Sequence, residues 1–273
     1  MLITDRLVYL DLHKTGCTHT SLLLSEMFTD SHIIIGKHNT YDTVPKAVLG
    51  NFEEKLKIGN VRNPWDWYVS LWAFGCQNVG WLHNRLTRSR LTKESILSKN
   101  RVKLLIKRYL GMEYEWLKPE IWRELYSDPY NYKNFNKWIQ LILSHEKFEI
   151  GEGYKTKKLS KFAGLLTYRY ITLYTYRKQL KNIDSLVALN QYDSNENFMD
   201  IIIKNETIQE DLAEFSKKIN YNIEDLNNII KKYQKRTNKS SRHRDYRKYY
   251  NDESFLLVEK YEKFIINKYS YQF

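Results

Sequence analysis

The sequence contains few cysteines and no long apolar run. Only Cys17 and Cys76 occur among its 273 residues, and they form no C-x-x-C spacing, which argues against a disulfide framework and a zinc site. No uninterrupted apolar stretch approaches the ~20 residues of a membrane-spanning helix. Asp5, Arg6 and Asp11 interrupt the apolar N-terminal stretch, which is typical of a strand and not of a signal peptide. We expect a soluble protein of a reducing compartment, the cytoplasm.

The chain carries an excess of positive charge. Lysine and arginine number 44 against 32 acidic residues, a formal net charge of +12. This charge predicts an anionic partner, and nucleic acid, an acidic membrane surface and a phosphorylated or sulfated small molecule all fit it. Hydrophobic residues make up 42% and aromatic residues 15% of the sequence, which is enough for a packed core and excludes global disorder.

The first eighty residues alternate between strand and helix patterns. Asn63 and Pro64 are typical of the cap and the first turn of one of these helices. Strand–helix alternation at this spacing predicts a parallel sheet with right-handed crossovers. Strands are predicted over residues 6–12, 32–36 and 56–61, and helices over residues 21–28, 44–51 and 64–77.

The rest of the chain is mainly helical. Helical patterns rich in Trp and Tyr fill residues 80–197, and a buried strand is predicted over residues 198–206. We expect one α/β domain over residues 1–273, in which residues 1–79 and 198–273 form a P-loop-like central parallel sheet flanked by helices. Residues 80–197 are expected to be a large helical insertion that covers the sheet. Further helices are predicted over residues 207–219, 223–235 and 252–268.

The segment VYLDLHKTGCTHTSLLL, residues 8–24, joins a strand pattern to a helix pattern through a short loop. Gly16 permits a sharp turn there, and the N–H groups and dipole at the start of a helix favour a negative charge. The pattern predicts a site for a phosphate-like anion; the alternative is an ordinary connection with a solvated lysine. Further hydrogen-bond donors in the loop are Lys14, Thr15, Thr18 and Thr20.

A second anion-binding pattern follows the third predicted strand. In VRNPWDWYVS, Arg62 stands at the end of the strand and Ser70 lies eight residues later, two turns into the next helix. A guanidinium fork and a hydroxyl on the same side could bind a second phosphate. The alternative is that Arg62 is a surface residue and Ser70 a small residue at a helix contact. We expect the Lys14 turn and Arg62 to lie along the same rim of the sheet.

These segments resemble the sulfotransferases that use 3′-phosphoadenosine 5′-phosphosulfate (PAPS). HKTGCTHT is similar to their 5′-phosphosulfate loop, and VRNPWDWYVS is similar to their 3′-phosphate segment, in the same order along the chain. The late DIIIKNETIQEDL and the closing HRDYRKYYNDESFLLVEKYEKFIINKYSYQF are similar to the last part of bacterial and Golgi-type carbohydrate sulfotransferases. The resemblance covers both ends of the chain and is poor across residues 80–195.

The resemblance implies in-line, metal-independent transfer of a sulfuryl group from PAPS to an acceptor hydroxyl or amine, leaving adenosine 3′,5′-bisphosphate (PAP). It implies that Lys14 stabilises the leaving group and that Arg62 and Ser70 bind the 3′-phosphate. Residues 80–197 would bind the acceptor, a carbohydrate or a small-molecule natural product. The 5′-phosphate would be bound by the Thr18 hydroxyl and by the backbone N–H groups of Thr15, Gly16, Cys17, Thr18 and His19.

A strongly basic segment spans residues 231–248. Nine of its eighteen residues are Lys or Arg, and only Asp245 opposes them. The resemblance implies that residues 240–244, with Arg242 as a phosphate ligand, close over the bound PAPS. The alternative is a solvated helix end.

The acceptor must lose a proton, so a general base is expected. His38, in IIIGKHNTYDTV, follows the second predicted strand at the same sheet edge, and in relatives that resemble 2-O-sulfotransferases a histidine after this strand has that role. The alternative is a histidine that only hydrogen-bonds the loop. His13 and His19, which flank the anion site, and the carboxylate of Asp11 are further candidates for the base.

Two other functions compete with sulfotransfer. A P-loop-type nucleotide or small-molecule kinase would need a lysine after a second glycine and an acidic Mg²⁺ site, and the sequence has neither pattern. A nucleic-acid-binding protein fits the charge, but the sequence contains no recognised reader motif. We therefore expect a small-molecule or glycan partner and no nucleic acid.

Overall fold

The computed structural model describes residues 1–29, 32–88, 118–143, 150, 152–154, 158–176, 180–233 and 241–273. The chain divides into two compact units. The first unit is formed by residues 1–67, 158–239 and 258–273, and the second by residues 68–157 and 240–257. The expected single domain, with an insertion bounded by residues 80 and 197, stays a prediction.

The described part of the first unit contains one five-stranded sheet with the order β3-β1-β2-β4-β5. β2, β4 and β5 pair in parallel, whereas β1 pairs antiparallel with both β2 and β3. The α/β class and the parallel centre of the sheet are confirmed, whereas the sheet as a whole is mixed because β1 is antiparallel. The strands are β1 Leu2–Ile3, β2 Leu7–Leu10, β3 Ile33–Ile34, β4 Leu56–Val61 and β5 Ile201–Lys204.

A tight turn between β1 and β2 accounts for the antiparallel pair. The Thr4 hydroxyl oxygen accepts hydrogen bonds from the backbone N–H groups of Arg6 (3.1 Å) and Leu7 (3.0 Å), and Thr4 N donates to Leu7 O at 2.9 Å. A threonine side chain that binds its own turn reverses the chain. Because β1 runs opposite to both neighbours, β2, β3, β4 and β5 all point the same way and share one carboxyl edge.

Twelve α-helices occur in the described ranges. The predicted bounds of β4 are confirmed, and the helix predicted over residues 252–268 is divided at Glu262. Within these ranges, none of the helices combines the length and the apolar character that a membrane crossing needs. The helices are α1 Cys17–Met27, α2 Lys46–Leu49, α3 Pro64–Gly75, α4 Trp81–Thr87, α5 Pro119–Leu125, α6 Tyr132–Leu143, α7 Leu165–Tyr174, α8 Leu186–Glu196, α9 Ile208–Lys218, α10 Ile223–Lys232, α11 Asp252–Tyr261 and α12 Lys263–Tyr269.

One face of the sheet packs against α1, α9 and α10. Leu23 and Leu24 of α1, Phe215 of α9 and Leu226 of α10 are all buried in this core with Ile203 of β5. Burying such a side chain stabilises the fold by about 1.5–3 kcal/mol. This packing holds the start of α1 against the carboxyl edge of the sheet.

A polar layer crosses the sheet at β4. The Asn60 side chain donates to Thr20 Oγ1 of α1 at 3.0 Å and also bonds the Tyr9 hydroxyl of β2. On the adjacent residue, a Cβ at Gly59 would lie 2.5 Å from the Tyr174 ring of α7. The Tyr174 hydroxyl accepts from Asn60 N at 2.8 Å. Both sheet faces are therefore tied to β4 by buried hydrogen bonds, which fix where α1 and α7 sit.

The second unit is built around aromatic side chains. Trp72 of α3 donates from Nε1 to Leu125 O at 3.0 Å, and Trp138 of α6 donates to the Tyr126 hydroxyl at 2.8 Å. The ring of Phe135 packs edge-on against Trp72 with centroids 5.5 Å apart. Each buried indole thus has a hydrogen-bond acceptor as well as an apolar contact.

A buried carboxylate fixes the start of α7, which lies in the first unit. Glu262 is fully buried, and its oxygens accept from Leu166 N (3.0 Å), Thr167 N (2.9 Å) and Thr167 Oγ1 (2.6 Å). A negative charge at these N–H groups also complements the helix dipole. The position of α7 matters because it carries Tyr174 and Arg169.

We predict that Glu262→Gln lowers the free energy of unfolding by about 1–3 kcal/mol, because an amide nitrogen cannot accept these bonds. Urea unfolding followed by circular dichroism measures this change. Glu259→Gln is the matched control, since Glu259 is exposed on α11, and it should change the unfolding midpoint little. Equal midpoints for the two variants would contradict this role of Glu262.

Candidate functional site

The loop between β2 and α1 follows a path that depends on Gly16. Gly16 has φ 80° and caps α1, and its carbonyl accepts from His19 N (2.9 Å) and Thr20 N (3.1 Å). A Cβ there would lie 2.5 Å from Asn205 Oδ1 and 3.1 Å from Ile208 Cδ1. Only glycine fits this left-handed turn without displacing its neighbours. The turn starts α1 directly after the loop, and the first N–H groups of a helix are suited to bind an anion.

Two of the four predicted loop donors have structural roles. The Thr15 hydroxyl is fully buried and donates to Leu12 O at 2.8 Å. Thr20 is also fully buried, and its Oγ1 accepts the Asn60 amide. The Thr15 O–H is thus used within the fold and the Thr20 hydroxyl is buried, so neither contact supports their predicted use as donors to an anion. Thr18 remains partly exposed at the helix start.

Lys14 and Arg62 come together at the carboxyl edge of the sheet. Arg62 Nη1 donates to Lys14 O at 3.0 Å. Lys14 itself has φ 61°, a left-handed conformation that is uncommon for a residue with a side chain and that clusters at functional sites. The expected common rim of the Lys14 turn and Arg62 is therefore seen in this contact.

The Arg62 guanidinium is oriented by Asp66 in the first turn of α3. Nε and Nη2 donate to Asp66 Oδ2 at 2.9 Å and 2.6 Å. With the bond to Lys14 O, three of the five guanidinium N–H groups have these partners. The carboxylate lowers the net charge of the pair but fixes the plane of the guanidinium, so its remaining N–H groups have a defined direction.

His38 lies at the same edge, on the loop after β3. Its φ is 63°, its backbone N–H donates to Asp11 Oδ1 at 2.9 Å, and its Nδ1 lies 2.6 Å from Asp11 O. The ring stacks on His13 with centroids 3.5 Å apart and planes 19° from parallel. Burial lowers the pKa of both histidines, while the hydrogen bond and charge of Asp11 oppose that shift at His38. Both rings are therefore held neutral near pH 7.

Cys17 and His19 are buried on the first turn of α1. Burial, together with the charge of Asp11, raises the pKa of the Cys17 thiol to about 11, so its side chain is an inert thiol. At Cys17 the backbone N–H is the better candidate for anion binding, whereas the N–H of His19 already donates to Gly16 O at 2.9 Å. His19 is more buried than His38, which makes His38 the better placed of the two to meet a substrate.

Two cations at this edge have no counterpart in the sequence-based prediction. Lys37 Nζ donates to Thr18 Oγ1 at 3.1 Å, which brings a second lysine to the start of α1. Arg169 of α7 is buried, its guanidinium lies 5.7 Å from the Trp67 ring, and its charge lowers the pKa of His13 and His38. The sequence carries a signal for Arg169, because it is the one charged residue in LLTYRYITLY.

Ser70 and Arg242 belong to the second unit. Ser70 lies on α3 and is buried, whereas Arg242 is half-buried at the start of the described residues 241–273. Next to Arg242, the backbone N–H of His243 donates to the Tyr249 hydroxyl at 2.9 Å. The predicted contributions of Ser70 and Arg242 to phosphate binding stay predictions, and residues 234–240 of the basic segment lie outside the described residues.

Asp11, Cys17 and His38 bring possible metal-ligand atoms within 4.8 Å of one another. Their chemistry favours a hydrogen-bonded group over a metal centre. Asp11 Oδ1 accepts from His38 N and lies 2.9 Å from the amino group of Met1. The Cys17 thiol would have to lose a proton that its raised pKa retains.

The first-unit edge therefore combines three kinds of group. Helix N–H groups and the cations Lys14, Lys37 and Arg62 can bind a polyanion, and a neutral imidazole at His38 can accept a proton. Comparison of the chain with protein-family models, with curated proteins and with solved structures found no match in any of the three. The function must therefore be argued from these residues.

We predict that Gly16→Ala destabilises the fold by about 1–3 kcal/mol, because alanine combines a positive φ with a collision at Asn205. Thermal unfolding measures this loss. Gly36→Ala is the matched control: a Cβ at Gly36 meets only Asn39 Nδ2, at 3.7 Å. A melting temperature for Gly16→Ala equal to that of the control would show that the turn tolerates a side chain.

Proposed function

We propose that this protein is a PAPS-dependent sulfotransferase that transfers a sulfuryl group to a hydroxyl or amine of a carbohydrate or small-molecule natural product. The proposal rests on the resemblance of HKTGCTHT and VRNPWDWYVS to the two phosphate-binding segments of that family. The single observation that carries it is the 3.0 Å hydrogen bond from Arg62 to the Lys14 carbonyl. One nucleotide with phosphates at both ends of its ribose could therefore reach both residues.

The 5′-phosphosulfate is bound, in this proposal, at the start of α1. The backbone N–H groups of residues 15–18 and the Thr18 hydroxyl donate hydrogen bonds to it, and Lys14 neutralises the charge that develops on the leaving oxygen. Lys37 adds a second positive charge, because its ammonium already reaches Thr18 Oγ1. The Gly16 turn fits such a group, since it keeps side-chain atoms away from these N–H groups.

The 3′-phosphate is assigned to Arg62. Asp66 and the Lys14 carbonyl orient the guanidinium, and a planar fork is well suited to a phosphate. Ser70 and Arg242 are proposed as further phosphate ligands, and residues 80–197 as the acceptor-binding part. The P-loop-like fold is part of the same proposal, supported by the parallel β2, β4 and β5 with α1 between β2 and β4.

Proton transfer is assigned to His38. When bound, PAPS would supply the sulfuryl group and an adenosine 3′,5′-bisphosphate leaving group. His38 is suited to receive the proton of the acceptor hydroxyl because burial lowers its pKa, which keeps its ring unprotonated at neutral pH. We also propose that the protein works in a reducing compartment, the cytoplasm, because its sequence has only two cysteines.

We predict that Lys14→Ala lowers kcat for PAPS-dependent sulfation by at least about 100-fold, because the leaving oxygen loses its cation. Transfer of ³⁵S from labelled PAPS to a panel of sugars, phenols and amines measures turnover. PAP should still raise the melting temperature of Lys14→Ala, because the helix N–H groups and Arg62 keep their roles.

Lys46→Ala is the matched control, since Lys46 is exposed on α2, and it should keep wild-type turnover. Full activity of Lys14→Ala would remove the assignment of Lys14. Stabilisation of the wild type by ATP with Mg²⁺ or by DNA, but not by PAP, would replace the proposal with a kinase or a nucleic-acid-binding protein.

We predict that Arg62→Lys weakens PAP binding by roughly 10- to 100-fold and adenosine 5′-monophosphate binding by less than about threefold. The reason is that only PAP carries a 3′-phosphate, and a lysine cannot form the bidentate fork. Isothermal titration calorimetry with both nucleotides measures the two affinities.

The matched control for this pair is Arg6→Lys, at an exposed position of the β1–β2 turn. It should leave both affinities unchanged. An equal loss for the two nucleotides in Arg62→Lys would mean that Arg62 supports the Lys14 loop and does not bind the 3′-phosphate.

A further inference from the structure

The main chain of Asp11 selects the tautomer of His38. Nδ1 of His38 lies 2.6 Å from the Asp11 carbonyl oxygen, which can only accept a hydrogen bond, so Nδ1 carries the hydrogen. The lone pair of the neutral ring is then on Nε2. The Asp11 carboxylate adds a second hold, since Oδ1 accepts from His38 N at 2.9 Å and Oδ2 lies 3.7 Å from Nδ1.

His13 covers one face of the His38 ring. The ring centroids are 3.5 Å apart, a separation that leaves no room for water between them. His13 is itself fixed, because its carbonyl accepts from Trp67 Nε1 at 2.6 Å. Since His13 directly precedes Lys14, this stack sets the His38 ring beside the loop that carries Lys14.

At most one of the two stacked rings, His13 and His38, can be protonated at a time. Two imidazolium ions at 3.5 Å would repel strongly in a partly buried site. Burial is the largest cause of the lowered pKa of His13, followed by the charge of Arg169. The charged groups that act on the pair are Asp11, Lys37 and Arg169, and the Cys17 thiol is a further titratable group within 4.8 Å of a ring nitrogen of His38.

We propose that Asp11 and His13 are positioning residues that hold His38 as a neutral base with Nε2 directed to the acceptor. This inference rests on the proposed sulfotransferase function. His38 Nε2 takes the proton of the acceptor hydroxyl while the acceptor oxygen forms a bond to sulfur. The bond from sulfur to the phosphate oxygen breaks, and its electron pair stays on that oxygen beside Lys14. The Asp11 carboxylate then stabilises the imidazolium until His38 returns the proton to water.

The two positioning residues have opposite effects on proton affinity, which gives a sharp test. Removing the His13 ring lets water reach His38, so the pKa of His38 rises towards its ordinary value. Removing the Asp11 charge takes away a contribution that raises the pKa, so in Asp11→Asn it falls further. His13→Phe keeps a flat ring on His38 and should leave its titration close to that of the wild type.

The experiment is an NMR titration of the His38 imidazole in wild type, His13→Ala, His13→Phe and Asp11→Asn, with kcat/KM measured over the same pH range. We expect the acidic limb of the kcat/KM profile to move to higher pH in His13→Ala. The kcat/KM at pH 6 relative to that at pH 8 should therefore fall about three- to tenfold. His32→Ala is the matched control, because His32 bonds Phe28 O at 2.8 Å at the end of α1.

A His38 titration that is the same in His13→Ala and wild type would overturn the inference. If Asp11→Asn does not fold, the comparison of His13→Ala with His13→Phe still decides. If no acceptor is sulfated but the His38 titration shifts as expected, the proposed function is wrong, whereas the positioning roles of Asp11 and His13 stand. If the protein sulfates an acceptor with PAPS but its pH profile is unchanged in the Asp11 and His13 variants, the proposed function stands and the positioning inference is wrong.

Discussion

The path of the main chain between β2 and α1 is the constraint on which the candidate site depends. Lys14 and Gly16 both have positive φ values, 61° and 80°, and such a path costs about 1–3 kcal/mol at a residue with a side chain. Two hydrogen bonds from other parts of the first unit hold it, from Trp67 to His13 O and from Arg62 to Lys14 O, and Asn205 leaves no room for a Cβ at Gly16. The loop is shaped by its surroundings more than by its own residues.

The second property of this edge is the coexistence of cations with neutral imidazoles. Lys37 and Arg169 oppose protonation of His38, and burial acts in the same direction. The positive field that would attract the proposed bisphosphorylated nucleotide thus also keeps the His38 imidazole unprotonated. Anion binding and proton acceptance are physically compatible here because the lysine and arginine side chains are charged near pH 7 and the histidines are not.

Much of the secondary structure could be predicted because it has a local cause. The apolar run LKIGNV gives β4 its predicted bounds, and Asn63 caps α3 as expected, with Oδ1 accepting from Trp65 N at 3.1 Å. The antiparallel β1 was missed because it is only two residues long, too short for a periodic signal, whereas β3 lies within the strand predicted over residues 32–36. The contact of the Thr15 hydroxyl could not be predicted because a hydroxyl in a loop can serve a ligand or the fold, and only the position of Leu12 O decides.

The sequence by itself determined the α/β class, the strand-to-helix junction at Gly16 and the residue types Lys14, His38 and Arg62, because these follow from periodicity and from short motifs. Only the tertiary structure decided that Arg62 reaches Lys14 O, that His13 stacks on His38, and that Lys37 and Arg169 act at the same edge. Such contacts join residues far apart along the chain. They depend on strand order and on side-chain direction, and neither can be read from the spacing of residue types along the sequence.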